Sequence, residues 1–145
     1  MYIIVDIDHT LANSFWRDHM IGNVPWDEYH EESKYDKPFQ NVIDLIKALA
    51  MQGYHIVAVT GRTEKHRGIT VNWLIKNNVH IHDLLMRPDD IFLKNSEMKI
   101  NLITKYVGGN MRLIDFLIDD NEETILAFQK LGITTLQIRN IGEQK

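Results

Sequence analysis

At 145 residues with 44% hydrophobic content, the chain suits one domain built on one core and is too apolar for disorder. Its formal charge of −4 excludes a protein that coats nucleic acid through positive potential alone, yet leaves room for a few basic residues that hold one phosphate. The lack of cysteine excludes disulfides, zinc-thiolate sites and a thiol nucleophile.

No basic n-region precedes an apolar h-region, and no apolar run approaches membrane-spanning length. A soluble cytoplasmic chain, with no membrane association and no obligate protein partner, is therefore expected. The first element is the run Tyr2, Ile3, Ile4, Val5, which reads as a strand buried on both faces with Asp6 at its carboxyl end. Asp6 and Asp8 stand two residues apart, and two such carboxylates repel unless a cation neutralises them or one keeps its proton. An isolated Asp-x-Asp more often closes a strand-to-loop turn, so the rest of the chain has to decide its role.

Residues 13–37 are rich in aromatic, acidic and histidine side chains, broken by Gly22 and Pro25. They are too long for a simple connection and read as a small flap of one or two short helices near the strand end. Pro38 suits the first turn of a helix whose stripe is Val42, Leu45, Ile46, Leu49 and Ala50, with Gly53 ending it. A second buried strand over 54–59 finishes in Thr60-Gly61-Arg62. A helix over 70–76 presents Val71, Leu74 and Ile75, and a short strand over 83–86 runs into Arg87-Pro88.

Ser96 is placed to cap a helix carrying Met98, Ile100, Leu102, Ile103 and Val107, with Lys99 in its first turn. A strand over 113–118 ends in Asp119-Asp120-Asn121, a helix follows over 122–131, and a last strand covers 133–138. The polar tail, 139–145, is expected to fray. Strand alternating with helix predicts the α/β class: a doubly wound parallel sheet, one domain over 1–145, with right-handed crossovers. If the first strand is central, three polar clusters meet along one sheet edge: Asp6/Asp8/Thr10, Thr60/Gly61/Arg62 and Asp119/Asp120.

The chemistry that such a meeting favours is phosphoryl transfer. Asp6 is the candidate nucleophile, and Asp8 the candidate acid and base for the departing oxygen and for water. Hard carboxylate oxygens suit Mg²⁺, so Asp6, Asp119, Asp120 and the backbone carbonyl of Asp8 form the candidate metal set. Thr60 supplies a hydroxyl, Gly61 permits close backbone approach to a phosphate oxygen, and Lys99 supplies a compact cation. Arg17, Arg62 and Arg87 can each grip a phosphate with two N–H groups, although a lone arginine is more often a solvated surface charge.

These residues resemble the four motifs of the haloacid dehalogenase superfamily of aspartyl phosphotransferases. The matching segments are D-I-D-H-T-L at 6–11, V-T-G-R at 59–62, Lys99, and I-D-D at 118–120. The resemblance implies that Asp6 is the nucleophile, Asp8 the acid/base, Thr60 and Lys99 the phosphate-binding pair, and Asp119 and Asp120 the Mg²⁺ holders. More narrowly, the chain is similar to the phosphatase domains of phage polynucleotide kinase-phosphatases and related free-standing phage phosphatases. That likeness lies in Arg17 nine residues after Asp8, G-Y-H-I-V at 53–57, Thr70-x-x-Trp73-Leu74, L-M-R-P at 85–88, and Asn95 four residues before Lys99.

This narrower likeness implies that Arg17, Arg62 and Arg87 line a phosphate site, which with Thr10, Gly61 and Asn95 gives the candidate substrate-binding set. It also implies removal of a 3′-phosphate from a nucleic-acid end, with a phosphorylated nucleotide or nucleic-acid end as the partner. Three departures stand out. His9 replaces the usual Gly, Asn95 stands where kinase-linked domains tend to have Asp, and no G-x-x-x-x-G-K loop is present. The alternatives are a 5′(3′)-mononucleotidase and, from another class, a phospho-receiver signalling domain. Receivers carry their acidic pair early, whereas here the pair is late and the D-x-D comes first.

Overall fold

Ile3, Ile4 and Val5 of strand β1 (Tyr2–Val5) are completely buried, which demands cover on both faces and a strand on each side. The computed structural model, which describes residues 1–140, supplies both. Past β1 the chain turns tightly, and two short antiparallel strands, β2 (Ala12–Asn13) and β3 (Lys37–Pro38), form the neck of a flap. The flap contains a 3-10 turn (Phe15–Met20), helix α1 (Trp26–Glu31) and a second 3-10 turn (Glu32–Tyr35).

Then come α2 (Gln40–Met51), β4 (His55–Thr63), α3 (Arg67–Lys76), β5 (Asp83–Arg87) and α4 (Asn95–Tyr106). The chain finishes with β6 (Ile114–Asp119), α5 (Glu122–Lys130) and β7 (Thr134–Gln137). The five long strands pair in parallel in the order β5-β4-β1-β6-β7. The path runs outward from β1 to β5 and then returns to the other side for β6 and β7. That reversal beside β1 opens a crevice at its carboxyl end, where ligands bind in sheets of this kind.

Alternate strand residues serve the two faces. Ile3, Val5, Ile56 and Ala58 pack with Val42, Ile43 and Ile46 of α2 and with Trp73 and Leu74 of α3. Ile4, Val57 and Val59 pack on the opposite layer with Ile103 of α4 and with Ile125 and Phe128 of α5. At roughly 1.5–3 kcal/mol for each fully buried aliphatic side chain, these two layers are the main support for the edge that carries the acids.

Several sequence expectations need correction. Pro38 lies in β3 rather than in a helix, because residues 37–38 pair with β2 to close the flap. Helix α4 begins at Asn95 with Lys94 at its cap, which leaves Ser96 inside the first turn and moves Lys99 just beyond it. Ser96 donates instead to Glu123 (3.3 Å). The buried face of α3 is Thr70, Trp73 and Leu74, and Ile75 is exposed. The helix is turned by polar ties to the flap: Trp73 Nε1 donates to the Asp36 carbonyl (2.7 Å). Strand β4 extends past Thr60 to Thr63, with a register shift against β5. Of the predicted frayed tail, 141–145 lie outside the described residues, while Asn140 donates to the His9 carbonyl (3.4 Å). No described helix is long and apolar enough to cross a membrane.

Candidate active site

The turn after β1 sets the geometry. Asp6 still donates its N–H to the Ile118 carbonyl of β6 (2.9 Å), so it is held as firmly as a strand residue. The N–H groups of Thr10, Leu11 and Ala12 then converge on the Ile7 carbonyl (3.2, 2.8 and 2.9 Å), and His9 N–H donates to the Ala12 carbonyl (2.8 Å). Closing so tight a loop puts His9 at φ 64, the left-handed region that favours glycine. Its imidazole is occupied by Ser14 (3.1 Å), Asp18 (3.1 Å) and the Phe15 ring (centroids 4.0 Å apart), contacts that a glycine would lack.

Asp6, Asp119 and Asp120 each place one carboxylate oxygen within 4.8 Å of the others. Lys99, almost fully buried, donates to Asp6 Oδ1 (2.8 Å) and Asp119 Oδ2 (2.7 Å). Thr10 Oγ1 lies 3.1 Å from Asp6 Oδ2 and 3.3 Å from Asp120 Oδ1, holding the other side of the cluster. Asp119 is fixed further by the Asn121 N–H (2.9 Å), and Asn121 caps α5 by accepting from the Thr124 N–H (3.0 Å). Burial and the neighbouring Asp119 charge hold the Asp6 carboxyl well above its ordinary range, against the opposing pull of Lys99. Burial also raises Asp120. Burial alone would lower Lys99, but Asp119 and Asp6 keep its ammonium charged.

Three carboxylates against one ammonium leave negative charge that the described residues do not balance. The donors are hard oxygens, partly or wholly withdrawn from water, at the floor of a cleft, and they fit a small divalent cation. The carboxylate of Asp8 is not part of this group. It faces the flap, where Arg62 donates to Asp8 Oδ2 through Nε (3.1 Å) and to Oδ1 through Nη2 (2.7 Å). Arg17 Nη2 reaches the same Oδ1 (2.7 Å). Burial would raise the Asp8 pKa, but the charge and hydrogen bonds of Arg62, reinforced by Arg17, depress it far below the usual range.

The resemblance implies that Arg17 and Arg62 line a phosphate site, and in the structure their guanidiniums are held by carboxylates beside the cleft. Both are completely buried. Arg17 grips Asp36 through Nε and Nη2 (2.9 and 2.8 Å), donates to the Tyr29 carbonyl (3.3 Å) and covers the Tyr29 ring (4.4 Å). Arg62 also reaches Thr70 (3.2 Å) and Asp36 (3.4 Å). Asp36 is thus the centre of the flap's attachment, and no motif or hydrophobic period singled it out. Its signal would have been an acid between two elements with no reason to be buried.

Thr60 is buried at the end of the apolar part of β4, where its hydroxyl accepts the Arg62 N–H (3.1 Å). Gly61 does allow a close approach, but of the Asn95 side chain: a Cβ there would lie 2.6 Å from Asn95 Oδ1. Arg87, by contrast, is half-buried at the wall of the cleft. It donates to the carbonyls of Gly61 (3.2 Å), Ile91 (3.0 Å) and Leu93 (2.6 Å) and to Asn95 Oδ1, and so pins the segment 88–95. A cleft of about 770 Å³ opens above the acids. Asp6, Asp8, Lys99, Asp119 and Asp120 line its floor, and Gly61, Arg87 and Asn95 line it too. His30 of α1 was not singled out by sequence, yet it also lines this cleft.

Comparison with known proteins bears on this arrangement. Residues 1–142 match the family model of the polynucleotide kinase PNKP phosphatase domain. Over 98 residues the chain is 29% identical to acid phosphatase 1 of Solanum lycopersicum, covering 60% of this chain and 37% of that protein. It superimposes on a chain of a Pnkp1/Rnl/Hen1 complex with a TM-score of 0.78 at 24% identity, over 94% of this chain and 45% of that one. The L-2-haloacid dehalogenase of Xanthobacter autotrophicus, at 7% identity, aligns with a TM-score of 0.68 over 94% of this chain and 76% of its own. These last two likenesses establish the fold alone, and the chain spans less than half of the Pnkp1 complex chain and of the acid phosphatase. A phosphatase-domain match over this length sets aside the receiver reading, in agreement with the early position of Asp6. The chain therefore belongs to the PNKP phosphatase domain family of the haloacid dehalogenase superfamily.

Proposed function

We propose that the chain is a Mg²⁺-dependent phosphomonoesterase that removes the phosphate from a nucleic-acid 3′ end through an aspartyl-phosphate on Asp6. The observation that carries this reading is the gathering of Asp6, Asp119, Asp120 and Lys99 at the floor of one open cleft. The nucleic-acid substrate rests on the family match and on the likeness to a chain of an RNA repair complex.

Asp6 is the nucleophile. Lys99 and Thr10 fix its two oxygens, so the attacking carboxylate is oriented before substrate arrives. As the Asp6–phosphorus bond forms, the bond to the ester oxygen breaks and that oxygen takes a proton. Water then attacks phosphorus, freeing Asp6 and inorganic phosphate. Asp8 is the proton carrier in both halves. In the arginine clamp it is ionised, and a phosphate dianion entering beside it competes for Arg62 and Arg17. Loosening either guanidinium raises the Asp8 carboxyl toward a useful acid. Asp6, Asp119 and Asp120 would hold the Mg²⁺, with Asp8 contributing only its backbone. When bound, the cation screens the anionic nucleophile from the anionic phosphate.

The test is phosphate release from a 3′-phosphorylated oligonucleotide, a 3′-mononucleotide and a 5′-mononucleotide, each with Mg²⁺ or with chelator. The oligonucleotide should be fastest, and chelator should abolish the reaction. Turnover that survives chelation would reject the metal. Preference for the mononucleotides would favour the 5′(3′)-nucleotidase alternative, which the net charge of −4 supports.

A further inference from the structure

Above its charged floor, the cleft has an apolar lip. Phe92 is 93% exposed and Trp26 is 59% exposed, and both line the cleft, one from the segment after β5 and one from the flap. Ile21 adds to the same lip. Single exposed apolar residues are ordinary, but several gathered on one cleft mark a binding surface. Phe92 is not loosely placed: Arg87 holds the carbonyls of both its neighbours, Ile91 and Leu93. The fold therefore holds in place the backbone that carries this exposed phenyl ring.

Behind Trp26 lies His30, 7% exposed, with its ring nearly parallel to the indole (centroids 5.9 Å, 23°). His30 Nδ1 is buried without a hydrogen-bond partner, and no described residue bonds the other ring nitrogen. Because the His30 ring also lines the cleft, a polar group bound there can pair with it. Arg17, which holds Asp8, donates to the carbonyl of Tyr29, the residue before His30. In the reaction above, Asp8 protonates the departing oxygen, so groups packed over its clamp meet the leaving alcohol.

We propose that Trp26, Phe92 and His30 form the subsite for the terminal nucleoside of the leaving group, with the two exposed rings stacking on its base and His30 hydrogen-bonding a polar edge. A nucleobase has the required pair of features, flat apolar faces and a polar rim, whereas a sugar or hydroxy acid has no flat face. Aromatic stacking of this kind tolerates any base, so the subsite selects a nucleoside without selecting its identity. This subsite rests on the nucleic-acid-end reading of the same site.

The test compares a short single-stranded oligonucleotide 3′-phosphate with the same strand ending in an abasic residue, and with glycerol 2-phosphate. Wild-type kcat/KM should be about tenfold higher on the intact strand than on the abasic one. Phe92→Ala, which removes no buried side chain, should erase most of that ratio while leaving the abasic rate unchanged. Trp26→Ala should also lower the ratio, beyond any loss common to both strands through its packing on Tyr29, and His30→Phe, which keeps a ring against Trp26, should reduce the ratio by a smaller factor. Equal wild-type rates on intact and abasic strands would overturn the subsite while leaving the 3′-phosphatase reading intact. Variant losses that are the same on both strands would overturn it too. Turnover of glycerol 2-phosphate with none of either strand would refute the nucleic-acid reading and the subsite together.

Discussion

Two networks of acids and bases lie close together in this molecule, and they are balanced differently. Around Lys99, three carboxylates share one ammonium, and Asp6 is pushed well above its ordinary pKa. Around Arg17 and Arg62, two guanidiniums meet two carboxylates, Asp8 and Asp36, and Asp8 is pulled far below its own. The first network is incomplete by charge and lies open to a cleft, so it suits a ligand. The second is satisfied internally, and it joins the flap to the sheet. Buried charge alone therefore does not mark the reacting centre. On the proposed mechanism charge left unbalanced does, and Asp8 belongs to both regions because substrate phosphate would compete for its arginines.

The sharpest break in this contrast is Asp6→Asn. On the proposed mechanism it replaces the attacking carboxylate with a neutral amide, and phosphate release should fall on the order of 10⁴-fold or more while far-UV circular dichroism stays that of a folded chain. Activity within tenfold of wild type would remove Asp6 from its role. In the balanced network the effect should be on folding. Arg17→Ala leaves the buried Asp36 carboxylate with the neutral Trp16 indole N–H (2.8 Å) and a long Arg62 contact (3.4 Å), and chemical denaturation should show a loss of about 3–5 kcal/mol. A loss under 1 kcal/mol would mean that the clamp does not anchor the flap.

Ligand linkage sharpens the same distinction. Mg²⁺ at about a hundred times its dissociation constant should stabilise the wild type by about 2.7 kcal/mol in thermal unfolding, and the Asp119→Asn/Asp120→Asn double variant hardly at all. An equal Mg²⁺ response in the two proteins would place the cation elsewhere. A pH test reads the flap. Burial lowers the His30 imidazole to about 4, so between there and its unfolded value of about 6.5 the unfolded chain binds a proton that the folded chain does not. Stability should fall as pH drops through that window, and His30→Phe should flatten the fall in urea midpoint between pH 7 and pH 5. The smallest effect is expected for His9→Gly. Relief of the left-handed φ offsets the lost contacts to Ser14, Asp18 and Phe15, and the net change in denaturation should stay within about 1 kcal/mol.

Much of the scaffold was legible in advance because its signals are local. The apolar run before Asp6 and the one before Asp119 each had to be a covered strand, and each ends in an acid of the cluster. The buried face of α3 was not legible, since Thr70 and Trp73 face inward to meet Arg62 and Asp36 rather than by hydrophobic period. Arg17, Arg62 and Arg87 were recognisable as special residues, but not their partners. An arginine's sequence neighbours do not say whether its guanidinium meets a phosphate, a carboxylate or a row of carbonyls.

By itself, then, the order of amino acids determined the alternation of strand and helix and the acids at strand ends, because burial patterns repeat within a few residues. Only the folded chain decided which charges face each other. Asp36 lies nineteen residues from Arg17, and Lys99 ninety-three from Asp6, yet each pair meets within hydrogen-bond distance. Coulomb energy depends on separation in space and on shielding from water, and neither is a property of the sequence until the sheet brings its edges together.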